Sequence, residues 1–324
     1  MLKISVVIPV YNAAPYLRAC LDSVLGQSVR EIEVLCVDDG STDESAAVLG
    51  EYAAKDGRVR VFSQANAGQG VARNRALAEA RGDYVHFMDA DDTLAGDDEF
   101  GYLIGEADRD RLDMLFFDAE TRVDSGVDCD QVNAEDYVRT RDYSQVRTGP
   151  ELFAAFCSHR DYTVSPCLVL SRRAFLESEH VRFAEGVIHE DNVFMLQAIL
   201  SAKRVSHRRR QAYVRYVHAG TTMTRPLSKK NLLGYIACFR AGGIALGRRD
   251  LPAAVRRALA GRHLRYRLQI LKLARQLGIR AEGLPQDVRM PRLAEVVCAT
   301  LCCLQDRGLV YTLKRIISLG RARR

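Results

Sequence analysis

Ile4-Ser5-Val6-Val7-Ile8-Pro9-Val10-Tyr11-Asn12 is the stretch that decides the fold. From Ile4 to Val10 it is apolar and rich in β-branched residues, which predicts a strand buried on both faces of a parallel sheet. Pro9 and the polar turn beyond Tyr11 stop it. Downstream, Tyr16 to Val24 places Leu17, Cys20, Leu21 and Val24 on one helical face. Ile32 to Val37 predicts a second strand, broken by Asp38-Asp39-Gly40-Ser41. Ser41 or Thr42 is expected to cap a helix running to about Ala54, with Asp43 and Glu44 in its first turn. A strand at Val59–Phe62, a Gly-containing loop, a helix from about Gly70 to Ala80 and a strand at Tyr84–Met88 continue the alternation. Strand–helix units of this length imply an α/β fold, a parallel sheet with helices on both faces.

Ligands of such sheets bind beyond the carboxyl ends of the strands. The polar clusters Tyr11-Asn12, Asp38-Asp39 and Asp89-Ala90-Asp91-Asp92 all fall there, so folding gathers them into one site. Ala119 to Arg147 is polar and poorly periodic and reads as a variable excursion over that site. Helix and strand patterns resume from Glu151 to Val217. Beyond Thr224 the chain is helical and basic, with a break at Gly283-Leu284-Pro285. The expected organisation is a catalytic domain over 1–225 and a basic helical tail over 226–324.

The 324 residues suffice for one large α/β domain plus an appendage. Charge divides unevenly: residues 225–324 hold 22 Lys/Arg against 5 Asp/Glu, and the first 224 hold 25 against 36. An acidic front and a basic tail suggest cation chemistry in one and attachment to an anionic surface in the other. The nine cysteines are scattered and include no CxxC pair, which argues for a reducing cytosol and against a disulfide framework or zinc site. No signal-peptide layout opens the chain, and no apolar run reaches the roughly 18 residues that span a bilayer. The expectation is a cytoplasmic protein, soluble or peripheral on the inner face of the membrane.

Asp89, Asp91 and Asp92 end an apolar strand, and carboxylates so close repel one another unless a cation or hydrogen-bond donors neutralise them. Asp89 and Asp91 point to the same side of an extended chain, where both can approach one ion or its waters. Oxygen ligands favour Mg²⁺ or Mn²⁺ over zinc. Read alone, such a cluster is more often a solvated turn with an Asp capping the next helix; the two other polar strand ends favour the metal. His86 lies inside its strand and reads as a core histidine.

Four motifs in order, Ser5 to Asn12, Val37 to Asp43, Asn66 to Asn74 and Gly82 through Asp92, resemble family 2 of the glycosyltransferases. A fifth, Ile188-His189-Glu190-Asp191-Asn192-Val193-Phe194, resembles the Glu-Asp motif that carries that family's catalytic base. The resemblance covers about the first 220 residues and implies the GT-A fold. It implies that Pro9, Tyr11 and Asp39 hold the nucleobase, Tyr11 by stacking and Asp39 by accepting an N–H bond, which suits uracil and hence a UDP-sugar. Arg73 is placed near the base or its ribose, Asp89 at ribose or sugar, and Asp91 on a Mn²⁺ or Mg²⁺ ion bridging the diphosphate. Asp92 is placed where it positions the sugar or supports its neighbours. His218 touches metal or phosphate, or is an exposed loop histidine; Arg225 is a further candidate for the diphosphate. Bacterial members with this pattern build capsules, lipopolysaccharide and exopolysaccharide.

Asp191 is the expected general base that activates an acceptor hydroxyl, with inversion at the anomeric carbon, and Glu190 points elsewhere because helical neighbours lie about 100° apart. The acceptor is a glycan or a lipid-linked hydroxyl. In the tail, Leu309, Val310, Leu313, Ile316 and Ile317 form an apolar stripe beside Lys314, Arg315, Arg321, Arg323 and Arg324. It reads as a helix packed on the catalytic domain or on a second subunit of a homo-oligomer, or as a peripheral anchor on anionic lipid. Nucleic acid is disfavoured, since aromatic interleaving and a recognisable module are missing. The rival readings are a sugar-nucleotide nucleotidyltransferase, which would want a Gly-rich triphosphate loop where Tyr11-Asn12-Ala13-Ala14 stands, and a non-catalytic scaffold of the same fold. A dinucleotide-dependent dehydrogenase is disfavoured because no GxGxxG follows the first strand.

Overall fold

The first strand, β1 (Ile4–Val10), is buried along its whole length, as its unbroken apolar run requires. It runs between two parallel neighbours, β2 (Ile32–Asp38) and β4 (Tyr84–Phe87), with Val10 opposite Asp38 and Val7 opposite Phe87. A proline is tolerated in this central strand because the pairing with β4 ends at Val7. Pro9 shares a side with Val7, whose carbonyl accepts from Met88 N at 3.0 Å, so the missing N–H would have pointed where β4 has already departed.

A computed structural model describes residues 2–124, 127, 137–218 and 228–289. Its sheet has eight strands in the order β3-β2-β1-β4-β7-β6-β8-β5. The first four, including β3 (Val59–Ser63), are parallel. Strand β7 (Val169–Arg172) enters antiparallel between β4 and β6 (Met114–Val123). Strand β6 then pairs parallel with β8 (Val205–Val217), and the short β5 (Thr93–Leu94) closes the edge. Helix α1 (Ala14–Leu25) buries Leu17, Cys20, Leu21 and Val24, the face its spacing predicts. Helices α2 (Ser45–Lys55), α3 (Gln69–Glu79), α4 (Glu99–Arg109), α5 (Gly149–His159), α6 (Arg173–Ser178) and α7 (Glu190–Ser201) complete this part.

Two local expectations change. Helix α2 starts at Ser45 rather than after Ser41 or Thr42, because Asp43 turns its carboxylate to Ser45 N at 3.0 Å and to Ala14 N at 3.1 Å, tying the starts of α1 and α2 together. The first residues of the 119–147 excursion are strand: β6 continues to Val123 against β8. There Glu120 and Arg122 alternate with Thr121 and Val123, which are only half-buried, so the period-two signal is weak. Residues 128–136 of that excursion lie outside the described residues.

The chain divides into two compact units, Met1–Pro226 and Leu227–Arg324. In the second, α8 (Lys229–Leu246) and α9 (Ala253–Gln276) pack Leu232, Ile236 and Phe239 against Ile270, Leu271 and Leu273, with Leu284 and Val288. No described helix is long and apolar enough to cross a membrane. The stripe from Leu309 to Ile317 lies outside the described residues, as does Arg225. Among the described residues, Cys20, Cys36 and Cys167 are free thiols.

Candidate active site

The carboxyl ends of β1, β2 and β4 deliver the expected polar groups. Tyr11 leaves β1 47% exposed, open to stacking, while Pro9 is buried. Asn12 takes a left-handed backbone (φ 52°), which its short side chain tolerates, and accepts from Thr42 N at 2.8 Å. Asp39 differs from expectation. Its carboxylate is 3% exposed and already accepts Gln64 Nε2, Ala67 N and Gly68 N, each at 2.8 Å. Three of about four acceptor positions are therefore engaged, so Asp39 is first the anchor of the loop that leads into α3. Gly40 (φ 73°) makes the turn possible, since a Cβ there would meet Asn66 N at 2.9 Å.

Beyond β4 the three aspartates diverge. Asp89 is partly exposed, at 35% of its side chain. Asp92, expected to position the sugar or to support its neighbours, is turned into the sheet and is 5% exposed. It accepts Tyr213 Oη at 2.8 Å and Tyr216 N at 2.8 Å, and Tyr213 Oη in turn accepts Asp89 N at 3.2 Å. Strand β8 thus clasps the turn from both ends. Asp91, between them, makes no side-chain hydrogen bond or ion pair with another of the described residues. Burial and the charge of Asp89 push Asp91 up to about 6, and His218 and Arg215 sit near enough to oppose that rise. Asp92 is likewise raised, by burial and by both neighbouring aspartates.

His218 follows β8 and is not an exposed loop residue: it is 5% exposed and stacked on Tyr16, centroids 3.9 Å apart. Its Nδ1 lies 2.6 Å from Asp124, and its Nε2 is buried with no partner.

Arg73 departs furthest from expectation. Its guanidinium is 1% exposed, and Nη2 donates to Asp89 at 2.7 Å while Nη1 donates to Asp191 at 2.8 Å and to Glu190 at 3.2 Å. Its hydrogen bonds go to carboxylates rather than toward an open nucleobase cleft. Burial works against its charge, but Asp191 and Asp89 more than compensate and hold it above the ordinary guanidinium range. Helix α7 brings the Glu-Asp pair here from a left-handed His189 (φ 75°). Gly70 lets Glu190 close in, since a Cβ there would lie 3.1 Å from Glu190 Cγ. Glu190 is 9% exposed and raised by burial and by Asp191. Asp191 keeps 30% of its side chain open and bonds Arg73 through Oδ1, leaving Oδ2 for a substrate. Burial raises it, and Arg73 opposes the rise. His86 is fully buried among Phe100, Phe117 and Tyr213, as expected of a core histidine.

One guanidinium therefore faces three carboxylates, with two more in the adjoining turn. Asp91 and His218 Nε2 are acceptors that this arrangement leaves without a hydrogen-bond partner, and an oxygen-and-imidazole pair suits Mn²⁺ or Mg²⁺. Among the described residues no three His, Cys, Asp or Glu side chains gather closely enough to hold an ion alone. A hard cation here would draw its remaining ligands from diphosphate oxygens and water. Tyr16, Asp124 and Tyr213 were not predicted. Their advance signal is slight: Tyr16 stands just after the Tyr11 turn, and Tyr213, Tyr216 and His218 crowd the end of one long strand.

Residues 5–175 match glycosyl transferase family 2. YibD of Escherichia coli K12, described as an uncharacterized glycosyltransferase, is 32% identical over 223 residues, 69% of this chain and 63% of that one. The match to EpsJ of Bacillus subtilis 168, also an uncharacterized glycosyltransferase, is 33% over 62% of this chain and 57% of that one, so the chain spans about three fifths of these relatives' length. Staphylococcus aureus TarS 1–349, solved with UDP-GlcNAc, superposes with a TM-score of 0.65 at 23% identity over 94% of this chain and 81% of that one. That likeness establishes the architecture as the GT-A fold that the motifs implied. By the extent of the family match, the chain belongs to glycosyl transferase family 2.

Proposed function

We propose that this chain is an inverting, divalent-cation-dependent glycosyltransferase that moves a hexose or N-acetylhexosamine from a UDP-sugar to a glycan or lipid-linked hydroxyl in bacterial surface-glycan assembly. The observation that carries the reading is the meeting of Asp89 and Asp191 on Arg73, which joins a donor-side strand end to a carboxylate with one free oxygen. TarS binds UDP-GlcNAc in its own structure, which supports a UDP-sugar donor here.

Tyr11 stacks on the uracil, and the remaining acceptor position of Asp39 takes its N–H. Asp89, fixed on one oxygen by Arg73, offers the other to ribose or sugar hydroxyls. Asp91 and His218 would hold Mn²⁺ or Mg²⁺, and a cation there would supply positive charge against the negative charge that develops on the leaving group. Asp191 Oδ2 accepts the acceptor's hydroxyl proton as that oxygen attacks the anomeric carbon from the face opposite the diphosphate. A base raised above the usual carboxylate range takes that proton more readily, and Arg73 fixes its direction. Glu190 supports Arg73 from the buried side. Peripheral attachment to anionic lipid through the basic second unit is part of this proposal, because a lipid-linked acceptor would reside there.

Calorimetry of UDP binding tests the donor side. Binding should require Mn²⁺ or Mg²⁺ and weaken strongly in Asp91→Asn; equal affinity with Mn²⁺ and with excess chelator would overturn the cation assignment. Screening nucleotide sugars for donor hydrolysis then separates a transferase from a scaffold.

A further inference from the structure

The end of the β6–β8 pair carries a second carboxylate that the motifs do not mention. Val123 lies opposite Val217, and Asp124 N donates to Val217 O at 3.1 Å, so the ladder places Asp124 beside His218. Asp124 Oδ2 lies 2.6 Å from His218 Nδ1. An ionised carboxylate only accepts, so the hydrogen in this contact belongs to Nδ1. A neutral ring protonated at Nδ1 has its lone pair at Nε2, and that atom is the buried one without a partner. The ring cannot easily rotate to find one. Tyr16 stacks on one face at 3.9 Å, and the Tyr216 ring lies parallel at 6.1 Å, with an interplanar angle of 1°.

We propose that Asp124 is a positioning residue that fixes His218 as the Nδ1–H tautomer and so aims the Nε2 lone pair at the cation held with Asp91. This rests on the cation reading of Asp91 and His218 given above. A carboxylate behind a metal-binding imidazole sets tautomer and ring direction together. Here that carboxylate comes from the end of β6, on a segment that carries no donor motif. Asp124 is 49% exposed, so its replacement need not disturb the core.

The test begins without metal. In chelator-treated protein labelled with ¹⁵N-histidine, two-bond ¹H–¹⁵N correlations report the tautomer of His218, assigned through His218→Gln. The wild type should show Nδ1–H, and Asp124→Ala should shift the ring toward Nε2–H. Asp124→Asn, whose amide oxygen still accepts, should retain much of the Nδ1–H form. Calorimetry with UDP should then show Mn²⁺ affinity reduced by roughly 10–100-fold in Asp124→Ala, the usual cost of losing such a partner. Thermal unfolding of each variant establishes that it is folded. An Nε2–H ring in the wild type overturns the proposal. So does unchanged Mn²⁺ affinity in Asp124→Ala when His218→Gln loses it, and that result leaves His218 as a ligand. If neither variant alters Mn²⁺ affinity while Asp91→Asn abolishes it, the proposal falls and the Asp91 assignment survives. UDP binding that ignores Mn²⁺ altogether removes the cation reading as well.

Discussion

Arg73→Met removes the guanidinium while keeping a side chain of similar reach. Two of the three carboxylates it leaves, Asp89 at 35% and Asp191 at 30% exposure, can regain water, but Glu190 at 9% cannot. Breaking a buried ion pair costs about 3–5 kcal/mol, and partial exposure of the other two partners argues for the lower end, about 3 kcal/mol. In a unit of this size that corresponds to a fall in Tm of roughly 6–12 °C. The pH dependence follows from the direction of the Glu190 shift. A carboxyl raised in the folded state contributes stability that is present below its unfolded pKa and lost as pH rises through the folded value. Without Arg73 the shift grows, so the deficit should be larger at pH 8 than at pH 6, where Glu190 is neutralised instead of left unpaired. Urea unfolding of metal-free wild type and variant at both pH values measures it. A loss under about 1 kcal/mol at pH 8, or a deficit that deepens toward pH 6, would show that Arg73 is not the counter-charge described here.

Asp191→Asn should lower transfer by roughly 10²–10⁴-fold with UDP affinity little changed, because the base acts on the acceptor; near wild-type transfer, with Glu190→Gln dead, would move the base to Glu190. Tyr213→Phe should cost about 1–3 kcal/mol by leaving the buried Asp92 carboxylate short of a donor, and should weaken Mn²⁺-dependent UDP binding by loosening the turn that carries Asp91. His86 is depressed from 6.5 to about 4 by burial, so its contribution is complete above pH 6.5 and lost as pH falls toward 4. That slope amounts to about 3 kcal/mol; urea midpoints of His86→Phe should fall less steeply with acid than those of wild type, and an unchanged slope would refute the assignment. Removing residues after Gly308 should leave donor hydrolysis intact and reduce association with anionic vesicles, and unchanged vesicle binding would end the membrane proposal.

The parallel half of the sheet was legible because its strands are short apolar runs that stop at polar turns, and the same turns showed where the polar groups gather. Local pattern could not show where the side chains at those turns point. Asp39 looked free to meet a base, yet three donors from residues 64–68 claim it. Asp92 was left between the sugar and a supporting contact, and the donors that draw it inward come from β8, 121 and 124 positions later. Nothing near Arg73 in the sequence announces its partners, because two of them lie 117 and 118 residues away. The β6 tip was missed for another reason: past the buried Ala119 its alternation rests on Thr121 and Val123 alone, both only half-buried.

The clasp on Arg73 also sets an order of assembly. Asp89 lies 16 residues from Arg73 and emerges within the same stretch of nascent chain, whereas Glu190 and Asp191 must wait for β7 to be inserted and α7 to dock. Chain-closure entropy makes the longer connection costlier by about 2 kcal/mol, and domains assemble as synthesis proceeds from the N-terminus. The proposed nucleotide half can therefore form first, with the proposed base arriving last. Damage to α7 docking should then yield molecules that still hold the donor but no longer transfer from it.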